Sequence, residues 1–447
     1  MIRLFVFCAL LLATSFAAEP RPNVIIIVTD DQGSIDANCY GAKDLVTPGV
    51  DALAARGVRF TQFYSAAPVC SPSRAALLTG RYPWLAGMPQ NGPAPPSEAD
   101  DQLDKLTGPG LPATEVTMAT MFRNAGYNTA HIGKWHLGWT EGHRPLDHGF
   151  DYSFGFMGGC IDNYAHFSYW GGPNRHDLWE NNQRVHFDGR YFPDLILEKT
   201  ETYIRAHRNK PFFIYFAINM PHYPYQGDAK WLERYKNLPY PRRQYAAFVS
   251  TLDERIQKLT KFLDDTGLRK NTILIYQSDN GHSTEERAHF GGGNAGPYRG
   301  AKFSLFEGGI RLPAIISWPG HLPQGEVRAQ IVHACDWMPT LAELCHVPLP
   351  QRPLHGQNIL PVIQSSTAPT PHETLHWKQG AQWAVRQGAW KLLHDPQDTA
   401  NTNKVDLFEQ HWFLANTDLD PGESKNLASA NPEILNRLRS LPPPEKD

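Results

Sequence analysis

Past its N-terminal segment, no stretch of the 447-residue chain is apolar for long enough to cross a bilayer, no long low-complexity tract interrupts it, and no internal repeat is visible. A spanning helix needs about 20 predominantly apolar residues, so no stable membrane insertion is expected. An excess of one charge sign is missing too. Lys and Arg number 42 against 45 Asp and Glu, a formal net charge of −3. That argues against a wrapping basic surface for nucleic acid, while leaving room for a local basic pocket. No Asn-x-Ser/Thr acceptor occurs, which is compatible with a bacterial origin. Cysteine is scarce: Cys8, Cys39, Cys70, Cys160, Cys335 and Cys345 are the whole set.

What is present is an ordinary globular composition, 41% hydrophobic and 19% charged, in a chain long enough for two unequal domains. Residues 1–18 read as a cleaved signal peptide. Arg3 gives the positive start, Leu4–Leu12 a short apolar run, and Ser15 and Ala17 the small residues before a cut at Ala17 or Ala18. Cys8 leaves with it, and the mature chain is expected to be secreted or periplasmic. A larger domain is expected over 19–365. A smaller C-terminal one follows over 366–447, with a small antiparallel sheet and a closing helix. Thirty-seven prolines suggest many ordered loops around a rigid scaffold.

Short apolar strands alternate with amphipathic helices, the pattern of an α/β layered fold. Strands are predicted at Asn23–Val28, Asn128–Ile132, Pro211–Ile218 and Thr272–Gln277. Helices are predicted at Thr47–Gly57, Thr114–Ala125, Pro193–His207 and Tyr245–Thr266. Trp383–Leu393 and Leu407–Leu414 read as strands near the end, and Pro432–Leu441 as the closing helix. Met88–Pro112 reads as a long loop of the functional kind.

Four of these strands run directly into reactive side chains. The first leads to Asp30-Asp31, the second to Lys134-Trp135-His136, the third to Pro221-His222, and the fourth to Asp279-Asn280. Open parallel sheets bind ligands beyond the carboxyl ends of their strands. Asp30, Asp31, Asp279 and Asn280 are hard oxygen donors, suited to Ca²⁺ or Mg²⁺; the bland alternative is a set of turns and helix caps. His372-Glu373-Thr374-Leu375-His376 has zinc-motif spacing but follows a Pro-rich loop, and chance is the better reading. Cys70 precedes Ser71-Pro72-Ser73-Arg74 and an apolar helical run, which puts it at a helix N-terminus that favours an anion. By itself it is a thiolate nucleophile or a buried structural cysteine.

Cys70-x-Pro72-x-Arg74 followed by Ala75-Ala76-Leu77-Leu78-Thr79-Gly80-Arg81 resembles the signature of type I sulfatases, members of the alkaline-phosphatase-like superfamily. Further matching segments are Arg21-Pro22-Asn23, Asp30-Asp31, Thr47-Pro48, Gly133-Lys134-Trp135-His136-Leu137-Gly138, Gly300-Ala301-Lys302 and Glu307-Gly308-Gly309-Ile310-Arg311. The resemblance implies a large mixed, mostly parallel sheet between helices and a smaller C-terminal α+β subdomain. It also implies that a separate formylglycine-generating enzyme oxidises Cys70 to Cα-formylglycine. Cys39, Cys160, Cys335 and Cys345 then remain, with three pairings open to them.

The resemblance further implies one Ca²⁺, or Mg²⁺, on Asp30, Asp31, Asp279, Asn280 and residue 70. A hydroxyl of the hydrated aldehyde would attack sulfur, with Arg74 helping to lower its pKa, giving a sulfated enzyme. Lys134, Lys302 and His222 would contact sulfate oxygens, and His222 or Lys302 would protonate the leaving alkoxide. His136 would take the second hydroxyl's proton and so expel sulfate. The implied substrate is a sulfated carbohydrate, with an aryl sulfate as surrogate. The rivals are a phosphate or phosphonate ester hydrolase of the same superfamily and an unmatured sulfated-glycan-binding protein. Trp135, Trp170 and Trp179 are candidate sugar-stacking faces, although most tryptophans are structural. Tyr223 and His282 lie beside motif residues and either touch substrate or pack.

Overall fold

The fold is described from a computed structural model over residues 21–92, 108–168, 175–401 and 405–445. The segment read as a signal peptide, most of the Met88–Pro112 loop and Trp170 lie outside the described residues. The elements that position the site are β1 (Asn23–Thr29), α1 (Pro48–Ala55), β2 (Val58–Tyr64), α2 (Cys70–Thr79), α3 (Met118–Asn124), β3 (Asn128–Lys134) and β4 (Tyr152–Phe156). They continue with α4 (Phe192–His207), β5 (Phe212–Ala217), α5 (Arg242–Asp265), β6 (Thr272–Ser278), β7 (Arg311–Ser317) and α6 (Trp337–Cys345).

β1 is buried along its whole length because the sheet is covered on both faces. Val24, Ile26 and Val28 point into a core with Met338 and Leu341 of α6 and with Leu77 and Leu78 of α2. Ile25 and Ile27 point the other way, into a core with Leu53 of α1, Leu195 of α4 and Leu252 of α5. Each such side chain contributes roughly 1.5–3 kcal/mol on burial. The strands belong to an eleven-stranded sheet, ten of them in the order 326–328, β2, β7, β6, β1, β5, β3, β4, 179–180, 183–184, with 332–333 also pairing with β2. From β6 through β4 the neighbours are parallel, while β7 joins both β6 and β2 in antiparallel fashion. β6, β1, β5 and β3 therefore end side by side at one edge. The expected large mixed sheet is present, and among the described residues no helix is long and apolar enough to cross a membrane.

A second, antiparallel sheet contains β8 (Thr374–Gln379), β9 (Gln382–Gln387), β10 (Trp390–His394) and β11 (Trp412–Asn416), and α7 (Pro432–Arg439) packs on it. Leu375, Trp377 and Phe413 on the opposite face meet Tyr64, Phe306 and Ile310 of the larger layer. The stretch read as one strand, Trp383–Leu393, is a hairpin. Gly388 takes φ +59°, which a tight turn between the paired Gln387 and Trp390 requires. The last strand starts at Trp412 rather than Leu407, because Glu409 and Gln410 turn the chain at positive φ. The helix expected from Thr114 starts at Met118, where Thr117 caps it by accepting from the Thr120 N–H at 3.2 Å. The five cysteines described are all free thiols.

Candidate active site

The four strand ends converge on one buried cluster. Asp30 and Asp31 follow β1, with Asp31 at φ +60°; Lys134 is the last residue of β3, and His136 turns at φ +57° just beyond it. His222 follows β5, and Asp279 and Asn280 follow β6. Cys70 opens α2 after an extended Val69, so the helix N-terminus faces the same cluster. Its Sγ lies 3.7 Å from Asp30 Oδ1 and 4.0 Å from Asp31 Oδ1. Lys302 reaches in from a loop whose residue 303 N–H donates to the Pro68 carbonyl. Every site residue expected from the sequence is thereby brought to one place.

Pairing inside the cluster is extensive. Lys134 Nζ donates to both Asp30 oxygens at 2.9 and 2.8 Å, and Lys302 Nζ to Asp31 Oδ2 at 2.8 Å. Arg74 donates from Nε and Nη2 to Asp279 Oδ2 at 2.9 and 2.7 Å, and its Nη2 lies 3.4 Å from Asp30 Oδ1. The Asp31 N–H donates to Asp279 Oδ1, and Asn280 Nδ2 to Asp31 Oδ1 at 2.6 Å. His222 Nε2 is 3.5 Å from Asp31 Oδ2, while its Nδ1 meets the Tyr223 carbonyl at 2.7 Å. The His136 ring lies over Gly159, where a Cβ would come within 3.1 Å of its Cε1.

Burial and charge set the protonation states. Burial pushes the Asp31 carboxyl up to about 7 and raises Asp279, despite Lys302 and Arg74. Burial also pushes on Asp30, but Lys134, Arg74 and Lys302 together hold it below the ordinary value. Burial, then the cations Lys134, Arg74 and Lys302, drives His136 far down, and burial with Lys302 and Lys134 does the same to His222. Both imidazoles are neutral at pH 7. Lys134 and Lys302 are raised, because their carboxylates outweigh the cost of burial. Burial pushes the Cys70 thiol up, which makes it a poor thiolate nucleophile.

The donor set fits a hard divalent cation. Asp30, Asp31, Cys70 and His222 each present a ligand atom within 4.8 Å of the others. Asn280 Oδ1 is buried with no hydrogen-bond partner among the described residues, an acceptor left without a donor. Three aspartates face three cationic side chains in the cluster. A divalent cation held there would add positive charge suited to an anionic ester.

Other readings change. His372-Glu373-Thr374-Leu375-His376 is not helical: His376 lies in β8 and His372 bonds Asp336 at 2.8 Å, so the one-turn spacing that joins two imidazole ligands is missing. Trp135 and Trp179 are buried core rings, not sugar platforms. Glu307 of the Glu-Gly-Gly-Ile-Arg segment is structural. It accepts from Tyr64 Oη at 2.6 Å and from Lys391 Nζ of β10 at 2.9 Å, tying the small sheet to the large layer. Nothing local in the sequence marks that tie. Glu285, also unmarked in the sequence, stands 3.6 Å from Lys302 Nζ.

A family model described as Sulfatase matches residues 22–347, and one described as N-sulphoglucosamine sulphohydrolase, C-terminal, matches 300–439. Human N-acetylgalactosamine-6-sulfatase is 33% identical over 96% of this chain and 86% of its own length. Mouse arylsulfatase J is 31% identical over 89% of this chain, which spans 64% of that longer protein. The crystal structure of Ps i-CgsB in complex with k-i-k-neocarrahexaose matches with a TM-score of 0.82 and 30% identity, covering 94% of this chain and 92% of that one.

Proposed function

Because the chain belongs to the sulfatase family, we propose that it is a sulfuric ester hydrolase that removes sulfate from a sulfated carbohydrate and accepts aryl sulfates as surrogates. The observation that carries this reading is the position of Cys70 in a buried set of three carboxylates and three cations, with a thiol too high in pKa to attack as thiolate. Converted to Cα-formylglycine by a maturation enzyme and hydrated, residue 70 supplies the attacking hydroxyl, beside the positive charge that Ca²⁺, or Mg²⁺, supplies when held by residue 70, Asp30, Asp31, Asp279 and Asn280.

The chain's own residues do the rest. Lys134 and Lys302 enter the reaction protonated and offset charge on the sulfate oxygens, with His222 beside them. Arg74 fixes Asp279 and reaches Asp30, so the carboxylates keep their orientation. His136, held neutral, accepts the proton whose loss releases sulfate. His222 Nδ1 donates to the Tyr223 carbonyl, which leaves no proton on Nε2 in the neutral ring. That favours Lys302 as the donor to the leaving alkoxide.

The rest of the reading is an exported enzyme, with residues 1–18 cleaved and a division near residue 365 between the catalytic part and the C-terminal part. The test is turnover of 4-nitrophenyl sulfate against 4-nitrophenyl phosphate by protein made alongside a formylglycine-generating enzyme. Preference for sulfate supports the reading, and preference for phosphate replaces it with the phosphoesterase alternative.

A further inference from the structure

A cavity of about 410 Å³ opens beside the cluster, lined by Tyr223, Pro224, Tyr225, Gln244, Arg287 and His289, with Gln226 at its wall. Its size lies within the range of about 300–1,000 Å³ usual for small-molecule sites. It adjoins the reactive site at Tyr223, which follows His222 and holds that imidazole by its carbonyl; the two ring centroids are 4.2 Å apart.

Two lining side chains point to a hydroxylated occupant. The Tyr223 hydroxyl and Gln244 Oε1 are both buried, and neither has a hydrogen-bond partner among the described residues. Tyr223 itself is only 5% exposed. Native proteins rarely leave such atoms unsatisfied. Tyr223, Tyr225 and His289 line the same cavity with aromatic rings, side chains of the kind that stack on the apolar face of a pyranose. One cation completes the wall: Arg287 is half exposed, and its Nη2 meets Glu285 Oε1 at 3.0 Å. The same Glu285 carboxylate faces Lys302 at 3.6 Å, so the cavity and the sulfate site share one link. A guanidinium fork matches the oxygens of a carboxylate or a sulfate in geometry.

We propose that this cavity is the subsite for the sugar next to the sulfated one, with Tyr223 and Gln244 meeting its hydroxyls and Arg287 its acidic substituent. The assignment rests on the sulfatase reading and narrows the substrate to an oligosaccharide carrying a second anionic group, a carboxylate or a second sulfate. Tyr223, Gln244 and Arg287 are then specificity residues.

The test uses the matured full chain and Arg287→Ala, with four substrates: 4-nitrophenyl sulfate, a monosulfated uronyl-hexosamine disaccharide, its carboxyl-reduced form, and a disulfated neutral disaccharide. The ratio of kcat/KM for the acidic disaccharide to that for the aryl sulfate should fall about tenfold or more in Arg287→Ala, the scale of one lost charge-assisted hydrogen bond. The carboxyl-reduced and disulfated arms show which anion Arg287 reads. Tyr223→Phe should lower the same ratio and leave folding intact. An unchanged ratio in both variants overturns the subsite. A wild type that hydrolyses none of the four contradicts the sulfatase reading instead. Disaccharide Kd values for wild type and Arg287→Ala then decide the subsite separately, and equal Kd values overturn it.

Discussion

Arg74 grips Asp279 through Nε and Nη2, both on Oδ2, and both side chains are buried. The pair fastens the helix that begins at Cys70 to the end of the strand that supplies Asp279 and Asn280. A guanidinium can hold that oxygen twice and still reach Asp30; an ammonium on a flexible stem cannot. Arg74→Lys should therefore keep the charge but lose the geometry, with kcat/KM for an aryl sulfate falling roughly a hundredfold or more, as when one oriented donor is lost. A variant with wild-type kcat/KM would show that charge alone suffices.

Asn280 Oδ1 has no hydrogen-bond partner among the described residues, so its removal should disturb metal binding more than folding. Added Ca²⁺ should raise the Tm of the wild type, by the equivalent of about 2.7 kcal/mol at a hundred times its Kd. In Asn280→Ala the rise should shrink at the same Ca²⁺ concentration. Equal rises in the two proteins, read by thermal melts with and without chelator, would remove Asn280 from the ligand set.

His131 is buried among Trp135, Phe150 and Tyr215, and burial lowers its pKa from 6.5 to about 3. The unfolded chain takes up this proton near 6.5 and the folded chain does not. Its contribution is complete above pH 6.5 and is lost as pH falls towards about 3, at roughly 1.4 kcal/mol per pH unit. His131→Phe should give a shallower loss of stability between about pH 6.5 and pH 4 in denaturant titrations, whatever its stability at pH 7. Parallel curves for variant and wild type would mean that His131 titrates normally in the fold.

The site was legible in the sequence because parallel strands buried on both faces are unbroken apolar runs, and the residues just past each run must lie at one edge of the sheet. Asn23–Thr29 and Thr272–Ser278 mark Asp30, Asp31, Asp279 and Asn280 in this way. The hairpin at Gly388 was hidden, because Gly-Ala is not among the commonest tight-turn pairs. Glu307 was hidden for another reason. Its partners Tyr64, Lys391 and Arg311 are drawn from three parts of the chain, and Glu423 joins through Lys391. The cavity by Tyr223 is likewise assembled from segments around 223, 244 and 287, with no local pattern to announce it. Buried Trp135 misled as a sugar platform because composition counts rings without saying where they face.

The most direct measurement is the mass of the tryptic peptide Phe60–Arg74, which contains Cys70, from protein made alongside a formylglycine-generating enzyme. A mass matching an aldehyde in place of the thiol is the predicted result, and aryl sulfatase activity should rise in proportion to that fraction. An intact thiol in active protein, with a control substrate of the maturation enzyme fully converted, would contradict the account at its centre.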